Sequence, residues 1–78
     1  MIREAIVKLV NKENLTYEMA EGAMDEIMGG KADPTQISAF LTAMTMKGET
    51  IEEITACANG MRKHGVHSER SPLGQIVV

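Results

Sequence analysis

Few side chains in this sequence are of the types that bind metals or act as nucleophiles. Cys57 is the only cysteine, and His64 and His67 are the only histidines. Cys57 and His64 are seven residues apart, so both would lie on one face of a helix. A structural zinc site needs four ligands, and these positions match no zinc-binding spacing. A buried thiol and two solvent-facing imidazoles explain the three residues better, so no metal site is predicted.

Four carboxylates and a pair of glycines are the other groups with a possible chemical use. The carboxylates are those of Glu18, Glu21, Asp25 and Glu26. They lie opposite the apolar stripe of a predicted helix, where water solvates them, whereas acid–base catalysis needs a cleft that shifts the pKa. Gly29 and Gly30 follow that helix without the preceding strand or the glycine spacing of a phosphate-binding loop. The sequence therefore predicts no catalytic, cofactor-binding or metal-binding residue.

Length and composition indicate one small domain in a reducing compartment. The chain has 78 residues and a formal charge of −3, from 8 Lys and Arg against 11 Asp and Glu. This acidic balance argues against a nucleic-acid partner, because phosphate binding needs a basic surface. The single cysteine cannot form an internal disulfide, which favours the cytoplasm. No apolar run approaches the roughly 18 residues of a membrane-spanning helix, and the N-terminus lacks a signal-peptide pattern, so no membrane partner is expected.

Hydrophobic periodicity and helix-capping residues predict four helices. They begin near Ile2, Thr16, Asp33 and Thr50. Asp33 with Gln36, and Thr50 with Glu53, have the spacing of capping boxes. The predicted inward residues are, helix by helix, Ile2, Ala5, Ile6, Leu9 and Val10; Ala20, Ala23, Met24, Ile27 and Met28; Ile37, Phe40, Leu41 and Met44; and Ile51, Ile54, Ala58 and Met61. The fold class is therefore all-α, a small four-helix bundle.

The chain divides into a helical bundle domain over residues 1–65 and an extended tail over residues 66–78. The tail contains Pro72 and ends in the β-branched run Ile76-Val77-Val78. A strand needs a sheet to pair with, and the sequence offers no second strand. From the residues alone, we therefore expect residues 66–78 to be a connector leading into a strand that either pairs with another chain or belongs to polypeptide that normally follows.

The third predicted helix has no charged face. Between Asp33 and Lys47 every side chain is uncharged, although a surface helix normally presents charges to water. Beside the apolar stripe that would enter the bundle lies a second stripe, formed by Ala39, Ala43 and Met46. All but Met46 are small, which allows another helix to approach closely, so these three residues are predicted to form a subunit or interdomain interface.

The block from Asp33 to Gly65 carries motifs of a known family. They are Pro34 with Gln36, Ala39-Phe40-Leu41-Thr42-Ala43, Lys47-Gly48-Glu49-Thr50, Glu52-Glu53-Ile54 and Met61-Arg62. The block resembles the N-terminal helical domain of the anthranilate phosphoribosyltransferases, whose bundle is shared with the pyrimidine nucleoside phosphorylases. The resemblance extends weakly back to Ile2, so it covers most of the chain.

The resemblance implies transfer of a phosphoribosyl group from phosphoribosyl pyrophosphate to anthranilate, with Mg²⁺, in tryptophan biosynthesis. It also implies a helical domain that forms the contact of a homodimer and is hinged to a larger α/β phosphoribosyltransferase domain. Residues 66–78 would then be the hinge and the start of a strand of that domain, which is absent from this chain. The family's pyrophosphate loop, metal ligands and anthranilate-binding residues follow later than Val78, so none is carried over to this chain. By itself the chain is expected to be inactive, with no cofactor of its own.

Two other interpretations remain open from the sequence. The first is the equivalent helical domain of a pyrimidine nucleoside phosphorylase. The second is a stand-alone helical interaction module, for which an acyl carrier protein is the obvious example at this length and charge. That example needs an Asp-Ser-Leu motif at the start of its second helix, and the sequence has none.

Overall fold

A computed structural model of the chain describes residues 1–65, which form four α-helices. They are α1 (Ile2–Val10), α2 (Tyr17–Met28), α3 (Pro34–Lys47) and α4 (Ile51–Lys63). No strand occurs within these residues, so the predicted all-α class is confirmed for them. None of the four helices is both long and apolar enough to cross a membrane. The predicted hinge and strand at residues 66–78 lie outside the described residues, and that division stays a prediction.

Three of the helices start at the capping residues that the sequence indicates. The Thr16 hydroxyl accepts a hydrogen bond from the Met19 amide at 3.2 Å. At the start of α3, the Asp33 carboxylate accepts from the Gln36 amide at 2.8 Å, and the Gln36 side chain returns to the Asp33 amide. These bonds satisfy amides of the first turn that have no partner inside the helix. Local sequence is therefore enough to set where these helices begin.

The helices pack in the order α4, α2, α1, α3. The close pairs are α2 with α4, α1 with α3 and α1 with α2. α3 and α4 follow each other along the chain but are not one of the close pairs, and a groove lies between them. The buried core residues are Ile2, Ala5, Leu9, Leu15, Ala20, Ala23, Met24, Phe40, Met44 and Ala56.

The sequence prediction that Ile51 and Ile54 of α4 point inward is wrong. Ile51 is 84% exposed and Ile54 is 55% exposed. The helix instead turns Glu53, Ala56 and Gly60 inward. A Cβ atom on Gly60 would lie 3.0 Å from the Cβ of Met24, so the glycine allows α4 to pack closely on α2.

Two further residues that were predicted to be inward lie at the surface. Leu41 of α3 is 51% exposed and Val10 of α1 is 65% exposed. Both belong to helices at or next to the open edge of the bundle, where no fifth element of the described chain covers them. Leu15, which lies between α1 and α2 and was not assigned to any stripe, is buried instead.

A buried ion pair joins the end of α3 to the start of α4. The Lys47 ammonium lies 2.9 Å from a carboxylate oxygen of Glu53, and the two side chains are 4% and 0% exposed. The same carboxylate accepts the Thr50 amide at 2.9 Å, which completes the capping box of α4. Its other oxygen accepts the Leu15 amide at 2.6 Å. One side chain thus holds both the start of α4 and the connection between α1 and α2.

Lys47 is equally well bonded. Its ammonium donates to the Asn14 side-chain oxygen at 3.0 Å and to the Gly48 carbonyl at 2.7 Å, besides Glu53. A buried charge is tolerated only when it is paired and its remaining hydrogen bonds are made. Both conditions are met here. The Lys-Gly-Glu-Thr and Glu-Glu-Ile motifs of the sequence therefore have a structural role in the bundle.

Replacing Glu53 should destabilise the domain severely. Glu53→Ala leaves the Lys47 ammonium and two backbone amides without their acceptor, and we expect a loss of about 3–5 kcal/mol in the free energy of unfolding. Urea denaturation followed by circular dichroism measures this loss. Glu52→Ala is the matched control, because Glu52 is an exposed neighbour on the same helical turn and should cost under about 1 kcal/mol. Equal losses in the two variants would contradict the structural role of Glu53.

The same pair should make the stability depend on acid pH. Burial raises the pKa of the Glu53 carboxyl, but hydrogen bonds from Leu15, Lys47 and Thr50 outweigh burial and hold the pKa below its ordinary 4.5. The folded state then binds this proton less readily than the unfolded state. Its contribution to stability is complete above pH 4.5 and is lost as the pH falls through the lowered pKa.

Unfolding curves recorded between neutral and acid pH should therefore show a falling free energy of unfolding for the wild type. In Glu53→Gln the decline below the ordinary pKa should be shallower, because that titration is absent. Asp25→Asn is the control, since the pKa of Asp25 is also lowered but its carboxylate is at the surface. If the Asp25 variant flattened the profile as much as the Glu53 variant, the buried pair would not be the cause.

Candidate functional site

The three residues predicted to form an interface, Ala39, Ala43 and Met46, line one groove between α1 and α3. Ala39 and Ala43 are half-buried, whereas Met46 is 72% exposed. Leu9 and Val10 of α1 line the same groove, whose volume is about 280 Å³ and which Lys12 and Lys47 also line. We call Ala39, Ala43, Met46, Leu9 and Val10 the α1/α3 surface. Their role as an interface stays a prediction.

The outward side of α3 continues this apolar surface without a charge. Leu41, Thr42, Thr45 and Met46 line a shallow hollow along it. The Thr45 hydroxyl donates to the Leu41 carbonyl at 2.9 Å, so its polar hydrogen is used within the helix. A contiguous patch of mainly apolar side chains is typical of a contact region. Sequence periodicity placed Val10 inside the bundle, and only the packing of α1 beside α3 reveals it as part of this surface.

Two acidic residues of α2 contact side chains at the end of α4. The Asp25 carboxylate lies 2.6 Å from His64 Nε2, and the Glu21 carboxylate lies 3.6 Å from the Lys63 ammonium. Both contacts attach the end of α4 to α2. The hydrogen bond with His64 lowers the pKa of Asp25. A carboxylate with a lowered pKa at the surface is a weak base, so this arrangement supports packing rather than proton transfer.

Cys57 lies on α4 beside the core of the bundle. Its side chain is half-buried, and burial together with the nearby Glu53 charge raises the pKa of the thiol. A thiol with a raised pKa forms little thiolate at neutral pH and is a poor nucleophile. His64, which could have shared its helix face, bonds to Asp25 instead. His67 lies outside the described residues, and among residues 1–65 no three His, Cys, Asp or Glu side chains converge.

Comparison with known sequences assigns the chain to a family. The sequence profile described as "Glycosyl transferase family, helical bundle domain" matches residues 3–65. An anthranilate phosphoribosyltransferase of Lachnoclostridium phytofermentans is 65% identical over 66 residues, which are 85% of this chain and 20% of that protein. Another, from Methanobrevibacter smithii, is 59% identical over 66 residues, with the same two shares.

A longer match is to the anthranilate phosphoribosyltransferase of Dehalococcoides mccartyi, which is 51% identical over 78 residues, 99% of this chain and 23% of that protein. The chain thus spans about a fifth of the length of these curated relatives. No solved structure gave a significant match. The resemblance noted from the motifs between Asp33 and Gly65 is therefore confirmed.

Proposed function

This chain belongs to the family of helical bundle domains found in glycosyl transferases. We therefore propose that it serves as the N-terminal helical domain of an anthranilate phosphoribosyltransferase. The observation that carries the proposal is the identity of 51–65% with enzymes of that name over most of the chain. The complete protein would transfer a phosphoribosyl group from phosphoribosyl pyrophosphate to anthranilate, in the cytoplasm, as a step of tryptophan biosynthesis. The relatives' names favour this function over that of a nucleoside phosphorylase.

Within that enzyme the part formed by residues 1–65 is a scaffold. The resemblance implies Mg²⁺ in the full enzyme, but the carboxylates of Glu21, Asp25 and Glu53 do not suit it. Glu53 is engaged by one ammonium and two amides, while Asp25 and Glu21 pair with side chains of α4. Mg²⁺ binding needs carboxylates that are free to accept the ion. We therefore assign the metal, the phosphoribosyl pyrophosphate and anthranilate to the remaining four fifths of the enzyme.

The second part of the proposal is that two copies of this domain associate through the α1/α3 surface. The surface combines an exposed Met46 with half-buried Ala39 and Ala43, so a helix of the partner can approach the α3 backbone closely. In a symmetric dimer the same patch meets itself, and each residue of it occurs twice in the contact. An apolar patch with a methionine that adapts its shape suits such a self-complementary contact.

Met46→Glu should weaken self-association while leaving the helices intact. Two new carboxylates would enter one symmetric contact, and we expect the association constant to fall about ten-fold or more. Analytical ultracentrifugation measures the constant, and circular dichroism checks the helix content. Ile51→Glu is the matched control, because Ile51 is exposed but lies on α4, away from the α1/α3 surface. An association constant that Met46→Glu does not change, or a wild-type chain that stays monomeric, would contradict the dimer proposal.

The enzymatic role is tested in a chimera. Residues 1–65 of this chain replace the matching stretch of the Lachnoclostridium phytofermentans relative, and anthranilate fluorescence is followed with phosphoribosyl pyrophosphate and Mg²⁺. We expect the chimera to consume anthranilate within about ten-fold of the parent rate, since the reacting groups lie outside the exchanged part. The 78-residue chain alone and the relative without its helical domain are the controls, and both should be inactive. A folded chimera that leaves anthranilate unconsumed would overturn the proposed function.

A further inference from the structure

Two polar contacts hold the last turn of α4 against α2. His64 Nε2 lies 2.6 Å from a carboxylate oxygen of Asp25, and the Lys63 ammonium lies 3.6 Å from a carboxylate oxygen of Glu21. Glu21 and Asp25 are four residues apart on α2, so their side chains lie on one face of that helix. The end of α4 is therefore attached at two neighbouring points to the same side of α2.

The imidazole of His64 is partly covered by α2. Its side chain is 31% exposed. The ring lies beside the backbone of Gly29 at the end of α2, because a Cβ atom at that glycine would be 3.6 Å from His64 Cε1. A ring that is covered on one side has fewer orientations to lose, so its hydrogen bond to Asp25 costs less entropy to hold.

His64 lies where the chain leaves the described domain. It is the C-cap of α4, and Gly65 follows it with a φ of 85°. The His64 amide donates to the Met61 carbonyl and the Gly65 amide to the Arg62 carbonyl, both at 3.0 Å. These bonds close a terminal turn, and terminal turns of helices open readily. Within residues 1–65 the contact between Asp25 and His64 is thus the side-chain contact closest to the exit of the chain.

The strength of this contact depends on the charge of the imidazole. The hydrogen bond with His64 lowers the pKa of the Asp25 carboxyl below its ordinary 3.8, so Asp25 is ionised at neutral pH. A histidine side chain ordinarily changes charge at about pH 6.5. When it is protonated, the bond joins opposite charges, and such bonds are roughly twice as strong as neutral ones. The positive ring also suits the C-terminal, negative end of the α4 dipole.

The charged groups around the contact are of types that keep their charge near neutral pH. Lys31 and Lys63 act on Asp25 from beyond the end of α2 and from α4, and Glu21 is the partner of Lys63. Arg62 carries the remaining charge in the last turn of α4. Lysine, arginine and glutamate side chains ordinarily titrate outside the range from about pH 5.5 to about pH 8. Among residues 1–65 the imidazole is therefore the group that changes charge at this end of the domain.

We propose that Asp25 and His64 form a pH-dependent latch, which holds the last turn of α4 on α2 firmly in mild acid and loosely above neutral pH. The latch is a property of this chain and does not depend on the enzymatic role. One consequence does rest on the proposed function. If the remaining polypeptide of an anthranilate phosphoribosyltransferase follows α4, the latch sets how rigidly that polypeptide is joined to the bundle.

Double-mutant cycles measure the latch in the 78-residue chain. Asp25→Ala, His64→Ala and the double variant are unfolded with urea at about pH 5.5 and about pH 8. We expect the coupling between the two residues to change the unfolding equilibrium constant about three-fold or more at the lower pH, and less than about 1.5-fold at the higher pH. Glu21→Ala and Lys63→Ala form the matched control cycle. Its coupling should be the same at both pH values, because glutamate and lysine ordinarily keep their charge between them.

Hydrogen exchange of the backbone amides locates the effect. At a given pH the intrinsic exchange rates of the wild type and Asp25→Ala are the same, so the ratio of their observed rates reports opening of the last turn. For the amides of residues 62–65, exchange in the variant should be about two-fold or more faster at about pH 5.5. At about pH 8 the ratio should be close to one, because the imidazole is then neutral.

A coupling that is equal at both pH values, or an exchange ratio that does not change with pH, would overturn the latch. A control cycle with the same pH dependence would overturn it too, because the cause would then lie outside the imidazole. The urea and exchange measurements are independent of catalysis. Their failure refutes the latch alone, whereas a folded, inactive chimera refutes the enzymatic role.

Discussion

The buried pair of Lys47 and Glu53 is the interaction on which the rest of the domain depends. Neither charge reaches water, and each is satisfied by groups from other parts of the chain. Replacing such a pair with apolar residues is often harmless elsewhere. Here it would also remove the acceptor of the Leu15 and Thr50 amides. The pair therefore does more than stabilise the folded state. It also sets where α4 begins and how α1 joins α2.

The packing of the four helices gives the domain a charged surface on α2 and α4 and an uncharged surface on α3. The polar faces of α2 and α4 are joined by the ion pair of Glu21 with Lys63 and by the hydrogen bond between Asp25 and His64. α3 carries no charge between its cap and Lys47, and an apolar groove lies on each of its sides. A domain that belongs to a larger enzyme must contact other parts of it, and the uncharged helix is where such contacts cost least desolvation.

The sequence predicts the helices well and their orientations less well. Thr16, Asp33 and Thr50 mark helix starts because capping is a local interaction between residues three positions apart. Glu53 was correctly placed in a capping box, but its burial depends on Leu15, 38 positions away, which no local pattern reveals. For the same reason α4 is rotated from its predicted orientation, and Ile54 lies outside. Ala39, Ala43 and Met46 line one groove, and their role as an interface stays a prediction, whereas the contribution of Val10 to that groove depends on the packing of α1.

The hydrogen bond between Glu53 and Leu15 also bears on how the chain is made. During synthesis the first two helices emerge well before α4, yet their connection lacks its carboxylate acceptor until Glu53 has been added. Because α4 also packs directly on α2, the N-terminal half has little to stabilise it beforehand. The domain should consequently fold as one cooperative unit once α4 is available, rather than helix by helix along the growing chain.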